Sequence, residues 1–346
     1  MKTTTNQSLK SYNTFGIPVN AKKFIELQHK NDFRKVLQEH QDFLIIGGGS
    51  NILLLDDIKK TVLHINTKGK SVIGENRKFV FVKVEAGENW HDFVLWCLKK
   101  DFGGVENLAK IPGNVGASPI QNIGAYGVEL KDVFDEAHTI EIATGETRVF
   151  TKSECNFGYR DSIFKNKHKG KYIITAVVFK LTKANHTIHD SYGAIQNTLQ
   201  ELNIENPTIQ DIADTVIQIR SAKLPDPKEI GNSGSFFKNP KVSKEQFDVL
   251  QKEYPDIPSY IQNNKTDTES VIDNPEYKLA AGWLIDQCGL KGKRIGDAGV
   301  HENQALVLVN YGNATGKEIL ALAKIVQQKV KEKFDIELQM EVNLIT

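Results

Sequence analysis

The amino-acid sequence predicts an α+β protein of two or three packed units, and three observations carry that expectation. The chain has 346 residues, more than one core needs at roughly 100 to 200 residues per domain. Short β-branched and aromatic runs alternate with glycine-rich loops and helical patterns. The run Lys223-Leu224-Pro225-Asp226-Pro227 interrupts any regular element, because each proline lacks a backbone donor and restricts the residue before it.

In chain order, FLII from Phe43 and ILLL from Ile52 read as two short buried strands joined by Gly47-Gly48-Gly49-Ser50-Asn51. A strand at Phe81 to Val84 leads through Ala86-Gly87-Glu88-Asn89 into a helix, Trp90 to Lys100, closed by Gly103-Gly104. Ala137 to Ile142 and Tyr172 to Leu181 are strands of a second sheet around the polar stretch Cys155 to Lys171. Helical signals after Tyr192 end in Ile212 to Arg220. The last region holds a helix at Leu279 to Cys288, a strand at Ala305 to Val309 and a long helix ending near Phe334. Thr315 and Glu318 form a capping box for it, and Ile319, Leu322, Val326 and Val330 make its buried stripe. A final strand is expected over Ile336 to Ile345.

Charged residues make up 25% and hydrophobic residues 40%, as in an ordinary folded protein. Lys and Arg number 44 against 43 Asp and Glu, so no global field gathers nucleic acid or an anionic membrane, and an anionic ligand needs a local site. Cys97, Cys155 and Cys288 are far apart and lack C-x-x-C spacing, which fits a reducing compartment. Met1 to Lys10 has no signal-peptide core and no run of about 18 apolar residues occurs, so a cytoplasmic chain is expected. His186 and His189 lack a ligand set around them, and no metal is expected.

Two glycine-rich stretches carry the chemistry. In Gly47, Gly48, Gly49, Ser50 and Asn51, small residues let backbone N–H groups surround a phosphate, although neither G-x-G-x-x-G nor G-K-[ST] is present. By itself this segment suits a tight turn and a phosphate cradle equally. The second runs from Ile111 to Gly127, with four glycines and two prolines in seventeen residues, a composition that makes neither a helix nor a central strand. Its candidate cofactor contacts are Pro112, Gly113, Gly116, Ala117, Ser118, Gln121, Asn122, Gly124, Ala125 and Gly127. Two such segments, neither with Rossmann spacing, point to FAD held between two small subdomains.

The blocks GGGSN, IPGNVGASPIQNIGAYG, GYRDSIFK, KLPDPK with GNSGSFFKNP, KLAAGWLIDQCGLKG and GVHENQALVLVN occur in this order. Together they resemble the UDP-N-acetylenolpyruvoylglucosamine reductase family, from Ser8 through Glu341. The resemblance implies a vanillyl-alcohol-oxidase (PCMH) type of FAD-binding fold with two subdomains, 1–66 and 67–222, a C-terminal α+β substrate domain, 223–335, and a terminal strand, 336–346, carrying Glu341. It implies NADPH- and FAD-dependent reduction of UDP-N-acetylglucosamine enolpyruvate to UDP-N-acetylmuramate for peptidoglycan, in a cytoplasmic monomer.

The same resemblance makes Arg160, Ser235 and Glu341 catalytic. Arg160 can fork onto a carboxylate, Ser235 corresponds to the proton donor, and a protonated Glu341 could bond to a developing enolate. Taken alone, these residues read as a surface ion pair, a turn serine and an exposed strand carboxylate. Tyr159, Tyr192, Lys223, Asn239, Tyr260, Lys278 and Gln304 are carried over as substrate contacts, with Tyr192 on a loop of the family's first subtype that closes over substrate. Asn343 departs from the many relatives that have arginine there. The basic run Lys165 to Lys171 reads as a solvated loop, with contact to an NADPH phosphate as the lesser reading. An oxidase of another alcohol or sugar, or an inactive flavin module, are the rival readings. The substrate-domain blocks oppose the first, and intact Arg160, Ser235 and Glu341 oppose the second.

Overall fold

The computed structural model describes residues 1–40, 42–262 and 276–346. They form two compact units, one of residues 1–12, 19–50 and 57–222, the other of 13–18, 51–56 and 223–346.

The first unit opens with β1 (Lys2–Ser8), β2 (Asn20–Leu27), α1 (Lys30–Glu39) and β3 (Phe43–Ile46). After β4 (Ile52–Leu54), a strand of the second unit, come β5 (Ile58–Ile65), β6 (Lys70–Glu75), β7 (Phe79–Glu85) and α2 (Trp90–Leu98). The two-residue strands β8 (Gly124–Ala125) and β9 (Val128–Glu129) follow, then β10 (Phe134–Glu141), β11 (Thr147–Thr151), β12 (Tyr172–Thr182), α3 (Gly193–Glu201) and α4 (Ile209–Lys223). One sheet has the order β1-β2-β5-β3, with β2, β5 and β3 parallel. Loops therefore leave those three strands at one edge, where Gly47 begins, the edge at which open parallel sheets present ligand loops. The other sheet, β11-β10-β12-β7-β6, is antiparallel throughout.

The antiparallel sheet buries a core that holds α2 in place. Val80, Val82 and Val84 alternate along β7 with their side chains inward, and Phe93 of α2 packs on Phe179 of β12 with ring centroids 4.7 Å apart. Burying one such ring contributes about 1.5 to 3 kcal/mol. Trp90 is also buried, and its indole N–H is satisfied by the Leu108 carbonyl at 2.8 Å. Asn89 starts α2 by accepting from the Asp92 N–H at 3.0 Å.

The second unit contains β13 (Gly231–Ser235), β14 (Lys241–Val242), α5 (Lys244–Glu253), β15 (Ser259–Gln262), β16 (Glu276–Leu279) and α6 (Ala281–Gln287). It continues with β17 (Arg294–Ile295), β18 (Ala298–Val300), β19 (Val307–Asn310), α7 (Gly316–Phe334) and β20 (Asn343–Ile345). Its sheets are β13-β19-β18-β17, β14-β16-β15 and the parallel pair β20-β4. The capping box of α7 is formed: Glu318 N–H donates to Thr315 Oγ1 at 3.2 Å, and Thr315 N–H to Glu318 Oε2 at 2.7 Å. Ile319, Leu322, Val326 and Val330 are buried. Gly316 starts this helix because a Cβ there would stand 1.9 Å from the Leu54 carbonyl oxygen of β4.

FLII and ILLL are both strands; β3 joins the parallel sheet and β4 pairs with β20. One expectation changes. The final strand covers only Asn343–Ile345, not Ile336 onward. Ile336, Leu338 and Val342 are buried in alternation, so the period was correctly strand-like. Their segment meets its neighbour only at the Phe237–Met340 bridge, too short a partner for a ladder.

Candidate active site

In the first unit the two glycine segments lie against each other. A Cβ on Gly48 would stand 2.8 Å from Gly113 Cα, and one on Gly113 only 2.5 Å from Ser50 Oγ. Ser50 Oγ donates to the Pro112 carbonyl at 3.2 Å. Gly116 faces Ala86, whose Cβ would be 2.5 Å from a side chain there. Only glycine permits these approaches, which bring the backbone N–H groups of the two segments together, an arrangement suited to a diphosphate. The residues present thus fit FAD.

Not every expected contact points its side chain outward. Ser118 is buried, and its hydroxyl donates to the Val115 carbonyl at 2.7 Å. Asn122 is also buried; its amide donates to Glu129 Oε2 at 3.1 Å and to the Gly158 carbonyl at 3.0 Å, while its oxygen accepts from Lys131 N–H. Both side chains shape the loop.

Asn122 thereby pins the turn that bears Arg160. Gly158 and Asp161 exchange backbone hydrogen bonds at 3.0 and 3.2 Å, and Arg160 closes the turn in the left-handed region at φ +53°, a conformation found mostly where function or tight turns require it. Its Nη2 donates to the Gly124 carbonyl at 2.6 Å. A Cβ on Gly124 would sit 3.2 Å from Nη1, so the glycine segment makes room for the guanidinium. Lys165 Nζ donates to the Arg160 carbonyl at 3.3 Å, which ties the start of the basic run to this turn.

Three residues that sequence reasoning did not select complete this corner. Tyr126 and Gly127 both have positive φ, +50° and +83°, and form the turn between β8 and β9. Burial raises the Tyr126 phenol above its ordinary value, and Arg220 of α4 opposes that. Burial lowers the Arg220 guanidinium, with Tyr126 opposing and the Arg160 cation adding to the shift, although an arginine stays protonated at neutral pH. Asn107 is buried and donates to the carbonyls of His189 and Tyr126 at 2.7 and 3.4 Å. Tyr192 is 39% exposed and meets the Tyr126 ring edge-on at 5.3 Å. Tyr126 lay within a selected motif. Arg220 and Asn107 carried no local signal, because their partners are distant in sequence.

In the second unit the segments that carry Ser235 and Glu341 meet through their backbones. Ser235 ends β13 and is exposed, and the Glu341 N–H donates to the carbonyl of the next residue, Phe236, at 2.8 Å. Asn51 Nδ2 donates to the Glu341 carbonyl at 3.3 Å. Asn343 donates to the Asn51 carbonyl from its N–H at 3.1 Å and its amide at 3.0 Å. Asn343 therefore clamps the backbone that carries Glu341.

Beside them, Lys278 of β16 is opposite Tyr260 of β15, its ammonium 5.5 Å from the ring centre. Asn239 Oδ1 accepts from Ala281 N–H at 3.0 Å at the start of α6, and Gln304 Oε1 lies 3.1 Å from where a Cβ of the next residue, Gly282, would be. Asn239 and Gln304 thus both lie at the start of α6. Lys223 is exposed at the end of α4.

Residues 22–151 match the model of an FAD-binding domain, and residues 226–345 match the C-terminal domain of UDP-N-acetylenolpyruvoylglucosamine reductase. Joined to the glycine cradle, these define an FAD-containing oxidoreductase. The chain is 53% identical to UDP-N-acetylenolpyruvoylglucosamine reductase of Flavobacterium johnsoniae, over 100% of both chains. It is 47% identical to the enzyme of that name from Pseudomonas putida, over 97% of each. The crystal structure of the Thermus caldophilus reductase superposes with a TM-score of 0.68 at 22% identity, over 100% of this chain and 98% of that one, and shares the fold. This chain belongs to the UDP-N-acetylenolpyruvoylglucosamine reductase family.

Proposed function

We propose that this chain reduces UDP-N-acetylglucosamine enolpyruvate to UDP-N-acetylmuramate in peptidoglycan synthesis, with FAD as cofactor and NADPH as donor. The observation that carries the reading is the backbone bond from Glu341 to Phe236, the residue after Ser235, in a chain 53% identical, along its whole length, to an enzyme of that name.

Gly47 to Ser50 and Pro112 to Ala117 would hold the FAD diphosphate through backbone donors, and two subdomains, 1–66 and 67–222, would enclose it. Bound FAD supplies a two-electron relay between NADPH and the sugar. When the terminal carbon of the enolpyruvyl group gains a hydride, negative charge builds on the neighbouring carbon and its carboxylate. Arg160 would hold that carboxylate, and Glu341 would bond to the developing charge. The Ser235 hydroxyl would then give its proton to the neighbouring carbon and set the stereochemistry of the lactyl ether. Lys223 and Lys278 would neutralise the UDP diphosphate, Tyr159, Tyr192 and Tyr260 would cover the nucleotide, and Asn239 and Gln304 would bond to its polar edges.

A cytoplasmic monomer that binds no nucleic acid completes the reading. The net charge of +1 and the free cysteines Cys97, Cys155 and Cys288 support it.

The test is anaerobic. NADPH is expected to bleach the flavin, and the enolpyruvyl sugar to restore its absorbance. Bleaching without restoration would remove the substrate and leave the cofactor. In Ser235→Ala the first half-reaction should persist while the second slows by about 100- to 10,000-fold, the usual contribution of a general acid; an unchanged second half-reaction would take Ser235 out of the mechanism.

A further inference from the structure

Tyr192 stands between an irregular stretch, 186–191, and α3. Backbone without a ladder has to be fixed by side chains if it is to keep one conformation. One end is fixed by His186, whose ring bonds Thr182 Oγ1 at 2.7 Å and Asp101 Oδ1 at 3.2 Å. Three residues before Tyr192, the His189 carbonyl takes the Asn107 amide at 2.7 Å.

The same Asn107 nitrogen donates to the Tyr126 carbonyl at 3.4 Å. Only the NH₂ end of an asparagine can serve two carbonyls at once. Asn107 is 1% exposed, so these bonds form in a low-dielectric setting and their loss leaves a carbonyl short of a donor. Tyr126 then meets the Tyr192 ring at 5.3 Å. A single buried amide thus joins the chain before Tyr192 to the turn that ends the second glycine segment.

We propose that Asn107 is a positioning residue: its amide latches the His189–Tyr192 segment to the Tyr126 turn and so sets how tightly the UDP-sugar is held. This rests on the substrate role proposed above for Tyr192. The side chain touches no substrate and acts through Tyr192.

The experiment compares the flavin-loaded wild type with Asn107→Leu, Tyr192→Ala and the double variant, with Asn107→Ser, whose hydroxyl is too short to span both carbonyls, replacing Asn107→Leu if that variant does not fold. Hydrogen–deuterium exchange without substrate should quicken at residues 187–196 in Asn107→Leu and stay unchanged at 47–50 and 112–118. Flavin content and bleaching by NADPH should stay within about twofold, whereas KM for the enolpyruvyl sugar should rise roughly tenfold with kcat nearly constant, the signature of lost uniform binding. In the Tyr192→Ala background the same substitution should add less than about twofold, because both changes remove one unit. Unchanged exchange at 187–196 overturns the latch, as does an equal KM penalty in both backgrounds. An unchanged KM in Tyr192→Ala alone overturns the substrate role of Tyr192 while the exchange result still decides the latch.

Discussion

Glu106 has no exposed surface, yet it carries an ionisable carboxyl next to Asn107. Burial pushes that carboxyl above its ordinary 4.5; the N–H groups of Glu106 and Gly104 oppose the shift, as do His186 and His189. A carboxyl raised in the folded state holds its proton more tightly there than in the unfolded chain. Its favourable contribution is therefore complete below the unfolded value and is lost as pH rises through the folded one. Glu106→Gln removes the titration. Thermal melts of the flavin-loaded protein are expected to show the wild type losing more stability than Glu106→Gln as pH rises from about 4 toward neutrality, and parallel curves would show that folding does not raise the Glu106 carboxyl. The residue scale also explains why some expected contacts face inward: Ser118 and Asn122 use their polar atoms to hold the loop that others present.

At the scale of elements, the glycine segments act as a pair. Neither alone makes a phosphate cradle; Gly48 and Gly113 approach so closely that any side chain on the first must displace backbone of the second. Gly48→Ala is expected to lower the flavin retained through gel filtration, read from the ratio of visible to protein absorbance. Gly74→Ala is the control, since its Cβ would meet only the Phe81 ring, at 3.9 Å. Equal flavin retention in the two variants would mean that the close approach does not form the cradle. The same logic governs α7, where Gly316 allows the helix start to touch β4 while Thr315 and Glu318 close its free N–H groups.

For the whole molecule, a ligand that binds only the folded state adds stability by mass action, about 2.7 kcal/mol at a hundred times its Kd. FAD added to stripped protein should raise the melting temperature and should do so less in Gly48→Ala. Failure of FAD to shift the wild-type transition would contradict the cofactor assignment.

Much of this was legible locally. Helix α7 could be read with its cap and stripe, because a capping box spans three residues and burial repeats at 3.6. Both glycine segments were legible because their composition excludes a good helix and a central strand, and Arg160, Ser235 and Glu341 came from the resemblance of whole blocks. Pairing was not legible: FLII and ILLL differ little as strands, yet β3 joins β5 and β4 joins β20, since a short apolar run encodes burial and not its partner. Nor were Asn107 and Arg220, whose partners lie 82 residues away at His189 and 110 away at Lys110. The sequence alone determined which segments are loops, which helix is amphipathic and which family the blocks resemble, because those properties depend on neighbouring residues. Strand pairing and the Asn107–His189 bond needed the fold itself, because a hydrogen bond between distant segments exists only once the core has brought them within about 3 Å.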